Sequence, residues 1–387
     1  MSVRHTVAHV DLDALARNFQ AIAAFLARRA KADGRTPPGI IAVVKANAYG
    51  LGAVRVARAL ERAGATRFAV ADIEEGVELR DAGVAGEILV FGALGVSDLA
   101  GVFTHRLTPT VSTPTAARAL NREASTRGTI LGCHLKIDTG MHRLGFRADN
   151  LRRTMPALLA SPHLRIDAVY THFATADDRA HPLFDEQLAR FEEAVAELAS
   201  LGLAAPRRHA AASAALVRDR RAWFDDVRCG LLLHGVQPLA GEGEGLALEP
   251  VLSVRSRVVA VKGVRPHETI GYGGRSAADH PRSIAIVPAG YADGIDVRLG
   301  GRGAVLVRGN RVPIVGSVCM DMTTVDVTGL GVEPGDEVVI LGRQGSARIG
   351  VGDMAEAIGT IPYELLCRVG TRIERVYVAS RDDRPVA

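Results

Sequence analysis

Long hydrophobic runs are missing from this 387-residue chain. No stretch of about 18 uncharged apolar residues occurs, which argues against a membrane-spanning helix. Blocks of one charge are missing too. The 47 basic and 43 acidic residues are interspersed and leave a net charge of only +4, so neither nucleic acid nor a membrane surface is an expected partner. Cysteine is scarce: Cys133, Cys229, Cys319 and Cys367 lie far apart with no C-x-x-C pair. That speaks against a disulfide framework or a zinc site, leaves no metal expected, and suggests reduced thiols in a cytoplasmic protein. Met1 to Val10 has no apolar stretch of the secretory-leader kind, and Asp11 and Asp13 follow at once, so no signal peptide is expected. There are no internal repeats.

What is present is an ordinary 48% hydrophobic fraction on a chain long enough for two cores. After an opening helix at about Leu12 to Ala30, eight strand-like segments follow: Ile40–Val44, Phe68–Ala71, Ile88–Phe91, Leu107–Val111, Cys133–Ile137, Ile166–Thr171, Arg208–Ala211 and Val227–Leu233. Helix-period stretches such as Val54–Ala63, Thr115–Ala124 and Phe184–Leu201 lie between them, and Gly64, Gly83, Gly128 and Gly202 fall where helices would be capped. Eight strand–helix alternations in under 250 residues imply an α/β fold, a parallel (β/α)₈ TIM-type barrel. The pattern changes after Gly241-Glu242-Gly243-Glu244-Gly245, which reads as a hinge or surface loop. Alternating segments then dominate: Val254–Val261, Ser283–Pro288, Ala304–Val307, Val312–Val318, Thr323–Val327 and Glu337–Leu341, with one short helix near Gly352–Ile358. The expected division is a barrel over 1–245 and a C-terminal all-β domain over 246–387.

The first barrel segment, Ile40-Ile41-Ala42-Val43-Val44, runs straight into Lys45. A buried strand has no structural need of a cation at its tip. An amine there can be desolvated, which lowers its pKa and makes it nucleophilic toward an aldehyde cofactor. Strand and lysine alone favour a solvated strand end, but the other strand ends reverse that. Barrel sites gather at the C-terminal ends of the strands, and those positions carry Lys45, Asp138 with Arg143, His172, Ser213 and Arg228. An amine, two guanidinium groups, an imidazole and a hydroxyl suit a phosphate-bearing aldehyde and a carboxylate substrate.

The chain resembles the alanine racemase family, pyridoxal-phosphate enzymes with a barrel and a β-domain, over essentially its whole length. The matching stretches are Val44 to Gly50, Lys136 to Gly145 and Tyr170 to Ala174, then Gly271-Tyr272-Gly273, Gly290 to Gly294, Cys319-Met320-Asp321 and Pro362-Tyr363-Glu364. The resemblance implies that Lys45 carries the cofactor and serves as one base. Tyr272, from the other subunit of a homodimer, would be the opposing base. Racemisation needs two bases, one removing the α-proton and the other returning it from the far face. A free phenol titrates near pH 10, so positive charge must bring it down for that task. Arg228 would meet the pyridine nitrogen without protonating it, because guanidinium stays charged, and His172 would help to hold it. Tyr49, Ser213 and Tyr363 with the amides of Gly230 and Leu231 would hold the phosphate. Arg143 and Met320 would bind the substrate carboxylate, Tyr291 would restrict access to small side chains, and Lys136 matches a lysine carbamylated in many members.

Three positions depart from the family pattern: Ala212 where asparagine precedes the phosphate serine, His234 where tyrosine is usual, and Leu51 where histidine is usual. The resulting expectation is a cytoplasmic homodimer that interconverts L- and D-alanine and supplies D-alanine for peptidoglycan. The alternative is a racemase of serine or of broader specificity on the same scaffold. A decarboxylase of this build would place a carboxylate, not Arg228, at the pyridine nitrogen, and a cofactor carrier would need no second base.

Overall fold

The computed structural model describes residues 5–92, 99–274 and 276–379. Eight parallel strands close on themselves in the order Thr108–Val111, Glu87–Val90, Arg67–Val70, Gly39–Val43, Asp226–Cys229, Arg207–Ala212, Leu164–Tyr170 and Leu131–Asp138, the last pairing again with Thr108–Val111. All eight segments read from the sequence are barrel strands, each within a few residues of the expected bounds. Closure leaves no strand edge for another chain to extend. Helices alternate with the strands on the outside. The opening helix, Leu12–Ala32, begins where Asp11 accepts a hydrogen bond from the Ala14 amide (2.8 Å). Leu12, Leu15, Phe19, Ile22 and Leu26 make its buried stripe at the three-to-four spacing of an amphipathic helix.

A second body is built from antiparallel strands. Its main sheet runs Asn310–Pro313, Ala304–Val307, Glu337–Gln344, Leu252–Arg257, Val7–Asp11 and Glu374–Val378, and Ala260–Val264, Arg282–Val287 and Thr323–Asp326 form a three-stranded sheet beside it. The expected strand Val254–Val261 is two strands broken at Val258–Val259, and the expected Val312–Val318 leaves its ladder after Pro313. The strand Val7–Asp11 was not foreseen. It pairs with Leu252–Arg257 on one side and, in parallel, with Glu374–Val378 on the other, so the chain enters the β-sheet before it enters the barrel. Two helices, Val351–Ile358 and Pro362–Cys367, follow the last long strand; the second brings Tyr363 to the barrel mouth.

Asn18 ties these parts together. Its buried amide donates to the carbonyls of Leu233 (3.0 Å) and Glu249 (2.7 Å) and accepts from the Glu249 amide (2.8 Å). It thus joins the opening helix to both ends of the glycine-rich crossing segment. Replacing Asn18 with alanine strands buried backbone groups and should cost about 2–3 kcal/mol. Thermal denaturation should show a clear loss of Tm in Asn18→Ala. An unchanged Tm would mean that water reaches those groups.

Candidate active site

The backbone that follows Lys45 is unusual. Ala46, Asn47, Ala48 and Tyr49 all have φ between 52 and 56°, and Gly50 follows at 82°. Four consecutive non-glycine residues thus make a left-handed turn, at a cost of roughly 1–2 kcal/mol per residue. Neighbouring groups hold it in place. Glu75 accepts from the amides of Ala46 (2.6 Å) and Ala71 (2.7 Å), and Asn47 accepts from the Ala53 amide (2.7 Å). Gly50 sits where a Cβ would approach the Leu366 carbonyl at 3.0 Å, so the turn also packs on the helix that carries Tyr363.

This turn borders a cavity of about 380 Å³ at the C-terminal ends of the barrel strands. Lys45, Tyr49, Lys136, Arg143, His172, Ser213, Arg228, Gly230, Leu231 and Tyr363 all line it. Burial, then the nearby Arg143 charge, lowers the Lys45 amine below the ordinary lysine range, against a smaller opposing pull from Glu75. A neutral amine is the nucleophilic form. At one end of the cavity Ser213 Oγ accepts from the amides of Gly230 (3.2 Å) and Leu232 (3.4 Å). With both lone pairs so used, its own proton is left to donate to a ligand oxygen. A side chain at position 230 would collide with the Tyr49 hydroxyl. Glycine there brings backbone and phenol together, as a small anion requires.

Arg228 is the buried anchor. Its guanidinium donates to the carbonyls of Thr171 (2.9 Å), His209 (3.0 Å) and Ala210 (2.8 Å), and to His209 Nδ1 (2.9 Å) and His172 Nδ1 (3.1 Å). Since a guanidinium only donates, both imidazoles are assigned as acceptors at Nδ1 and carry their protons at Nε2. Burial, then the Arg228 charge, holds His172 and His209 well below the ordinary histidine range. Burial also brings Arg228 itself down to about 10. Tyr170 lies under this cluster, stacked on His209 (4.6 Å between centroids, 13°), with the Lys136 amine 4.4 Å from its ring centre. Burial, then Arg228 and Arg143, pushes the Lys136 amine well below its usual range. Asp138 turns instead to the following loop, accepting from the amides of Gly140, Met141 and His142, each at 3.0 Å.

Tyr272, Tyr291 and Met320 are not among the cavity-lining residues. They belong to the β-rich part and are 77%, 45% and 53% exposed. Their loops are stitched to one another: Ser317 Oγ donates to the Tyr272 carbonyl (3.0 Å), and the Tyr291 and Ala292 amides donate to the Cys319 (2.9 Å) and Met320 (3.1 Å) carbonyls. Val297 and Met322 nearby in sequence are also exposed. Sequence reasoning assigned no role to Phe91, Tyr170, His134 or His209. Period two on the strand Leu131–Asp138 was the available signal for one of them: it puts His134, Lys136 and Asp138 on one face.

The donor set fits pyridoxal phosphate. One amine is available for an aldehyde, three hydroxyls with two amides for a phosphate, that of Gly230 shared with Ser213 Oγ, and one lasting donor for a ring nitrogen. Comparison with known proteins agrees. The alanine racemase N-terminal domain family matches residues 10–238 and the C-terminal domain family residues 251–377. An alanine racemase of Symbiobacterium thermophilum is 41% identical over 376 residues, 97% of each chain. The crystal structure of alanine racemase from D-cycloserine-producing Streptomyces lavendulae superposes with a TM-score of 0.91 at 34% identity, covering 98% of both chains. That of Bartonella henselae, described with covalently bound pyridoxal phosphate, gives 0.85 at 28% identity, covering 97% of this chain and 99% of the other.

Of the three departures, Leu51 and His234 are buried and Ala212 lines the cavity. The His234 ring packs edge-on against Tyr49 (4.7 Å between centroids), and burial pushes it down to about 4. Below pH 6.5 the unfolded chain takes up a proton that folded His234 refuses, so stability falls as the pH drops from about 6.5 toward 4, by about 3 kcal/mol in all. Tm measured across that range should fall more gently in His234→Phe than in the wild type. Parallel curves would show that the imidazole does not govern this part of the acid profile.

Proposed function

The chain belongs to the alanine racemase family, and on that premise we propose how its residues divide the work. It is a pyridoxal-phosphate-dependent amino-acid racemase that interconverts L-alanine and D-alanine. The rival reading, serine or a broader range of amino acids, gains no support from the matched relatives. Pyridoxal phosphate, when bound, supplies a conjugated ring that makes the substrate's α-proton acidic.

In this reading Lys45 holds the cofactor and then exchanges the α-proton on one face. Tyr272 of a second copy does so on the other. Tyr49, Ser213 and Tyr363 with the Gly230 and Leu231 amides bind the phosphate. Arg228 faces the ring nitrogen as a permanent cation. It offers no proton there, which limits charge build-up in the ring and favours returning the proton over other outcomes. His172, an acceptor toward Arg228, keeps an Nε2 proton for a partner across the cavity. Arg143 and the Met320 backbone take the substrate carboxylate, and Tyr291 narrows the approach. Lys136 is assigned to carbamylation: its amine, held well below the usual lysine range, adds to carbon dioxide in its neutral form and loses a proton, giving an anion that orients Arg143. The barrel over 1–245 binds the cofactor, and the β-domain over 246–387 completes the partner's site.

The observation that carries this reading is the half-buried Lys45 amine sharing a cavity with the Ser213–Gly230–Tyr49 anion cradle. The exposed Tyr272, Tyr291, Met320 and Met322 support the homodimer, since an apolar patch of this kind marks a contact surface. No helix among the described residues is long and apolar enough to cross a membrane. A cytoplasmic enzyme supplying D-alanine to peptidoglycan is the cellular role we assign.

Borohydride reduction of the yellow holoenzyme should fix the cofactor on Lys45, as peptide mapping would show; an adduct on another lysine would reject the assignment. Chiral chromatography should show racemisation of alanine, reduced by about 10²–10⁴ in Lys45→Ala or Tyr272→Ala.

Mixing these two variants tests the shared site. A mixed dimer has one site with both lesions and one with neither. Random re-pairing should therefore restore roughly a quarter of wild-type sites. No recovery in dimers shown to be mixed would place both residues in one chain or exclude Tyr272.

A further inference from the structure

Behind Arg228, a line of polar side chains crosses the barrel interior toward its opposite face. Arg228 Nη1 lies 2.9 Å from His209 Nδ1, and His209 Nε2 lies 3.1 Å from His134 Nδ1. His134 Nε2 lies 3.4 Å from Glu87 Oε1. Glu87 opens the strand Glu87–Val90, at the end of the barrel remote from the cavity. Its side chain is 39% exposed, whereas His134, His209 and Arg228 are buried.

The line has one direction. Arg228 can only donate, so His209 must accept at Nδ1 and carry its proton at Nε2. That proton goes to His134 Nδ1, which puts the His134 proton at Nε2, facing the Glu87 carboxylate. A carboxylate only accepts, so both ends enforce the same tautomers. Tyr170, stacked on His209 and hydrogen-bonded to Thr110 (2.9 Å), keeps the ring plane in register. All the hydrogen bonds of Arg228 among the described residues go to imidazole nitrogens or backbone carbonyls. Its nearest linked counter-charge is therefore Glu87, two imidazoles away. Arg67, the cation closest to this end, is paired with Asp226, and Lys136 faces the other end over Tyr170.

We propose that Glu87 and His134 are positioning residues: acting through His209, they hold the orientation and charge that Arg228 presents to the cofactor cavity. This rests on the assignment of that cavity to pyridoxal phosphate. Outer partners of this kind orient the group that touches the ligand and tune its electronics, the role well known at metal centres. The carboxylate polarises both imidazoles in one sense, so Arg228 meets a pure acceptor and cannot be displaced by an N–H turned toward it.

Imidazole tautomers can be read by long-range nitrogen–proton correlation in protein isotopically labelled at histidine, with and without cofactor. Wild-type His134 and His209 should be protonated at Nε2 only. Glu87→Gln keeps length and an acceptor oxygen but loses the charge and gains a donor. With Arg228 still fixing His209, it should populate the second tautomer at His134 and shift the absorption band of the holoenzyme. It should also lower kcat by about tenfold with KM little changed. In His134→Phe, which cuts the line, adding Glu87→Gln should change neither the band nor kcat further. An unchanged His134 tautomer and an unchanged band in Glu87→Gln, even with a lower Tm, would reduce the line to a structural feature and overturn the proposal. A protein that takes up no pyridoxal phosphate would reject the premise itself. One that takes it up with variant bands identical to wild type would reject the positioning role alone.

Discussion

The left-handed turn from Ala46 to Tyr49 is the constraint on which the site depends. A right-handed continuation would carry the chain away along the outside of the barrel, as happens after most of the other strands. The left-handed one keeps Tyr49 beside Gly230 and leaves Lys45 at the cavity wall. Of its four residues only Asn47 is of a type that tolerates that conformation. It persists because Glu75 accepts from the Ala46 amide, Asn47 ties the turn to the Ala53 amide, and Gly50 packs close to the Leu366 carbonyl.

The second organising fact is an excess of positive charge around the cavity. Lys45, Lys136, Arg143 and Arg228 border one cavity; burial, and then the neighbouring cations, depress both amines and the nearby imidazole. Desolvation and mutual repulsion are the usual reasons to keep such groups apart. Here they make sense only with an anionic occupant, which a phosphate and a carboxylate supply. Burial keeps the imidazoles neutral, so the cluster does not add further protons near neutral pH.

The β-rich part has a different logic. Its sheet is completed by both ends of the chain, with Val7–Asp11 between Leu252–Arg257 and Glu374–Val378. That arrangement fastens the barrel to the sheet through one short connection at the opening helix. Tyr272, Tyr291 and Met320 are exposed on this platform and do not line their own chain's cavity, and hydrogen bonds to backbone carbonyls hold their loops together. A surface prepared in this way suits a task performed on another copy.

The sequence by itself determined a great deal. The eight barrel strands were legible because most are short apolar runs between helix-period stretches, four of them ending at Gly64, Gly83, Gly128 and Gly202, and period and length suffice for that. Lys45, His172, Ser213 and Arg228 were legible because chemistry at strand ends stands out against apolar strands. Family resemblance supplied the rest of the site, including Tyr272. Only the tertiary structure decided three things. Val7–Asp11 joins the distant sheet, since its pairing partners lie more than 240 and 360 residues away and no local pattern reports them. Ala46–Tyr49 turns left-handed, against the preference of Ala46, Ala48 and Tyr49, because contacts from Glu75 and Leu366 outweigh propensity. Arg228, His209, His134 and Glu87 fall into one line because barrel closure, not sequence order, sets which inward-facing residues meet.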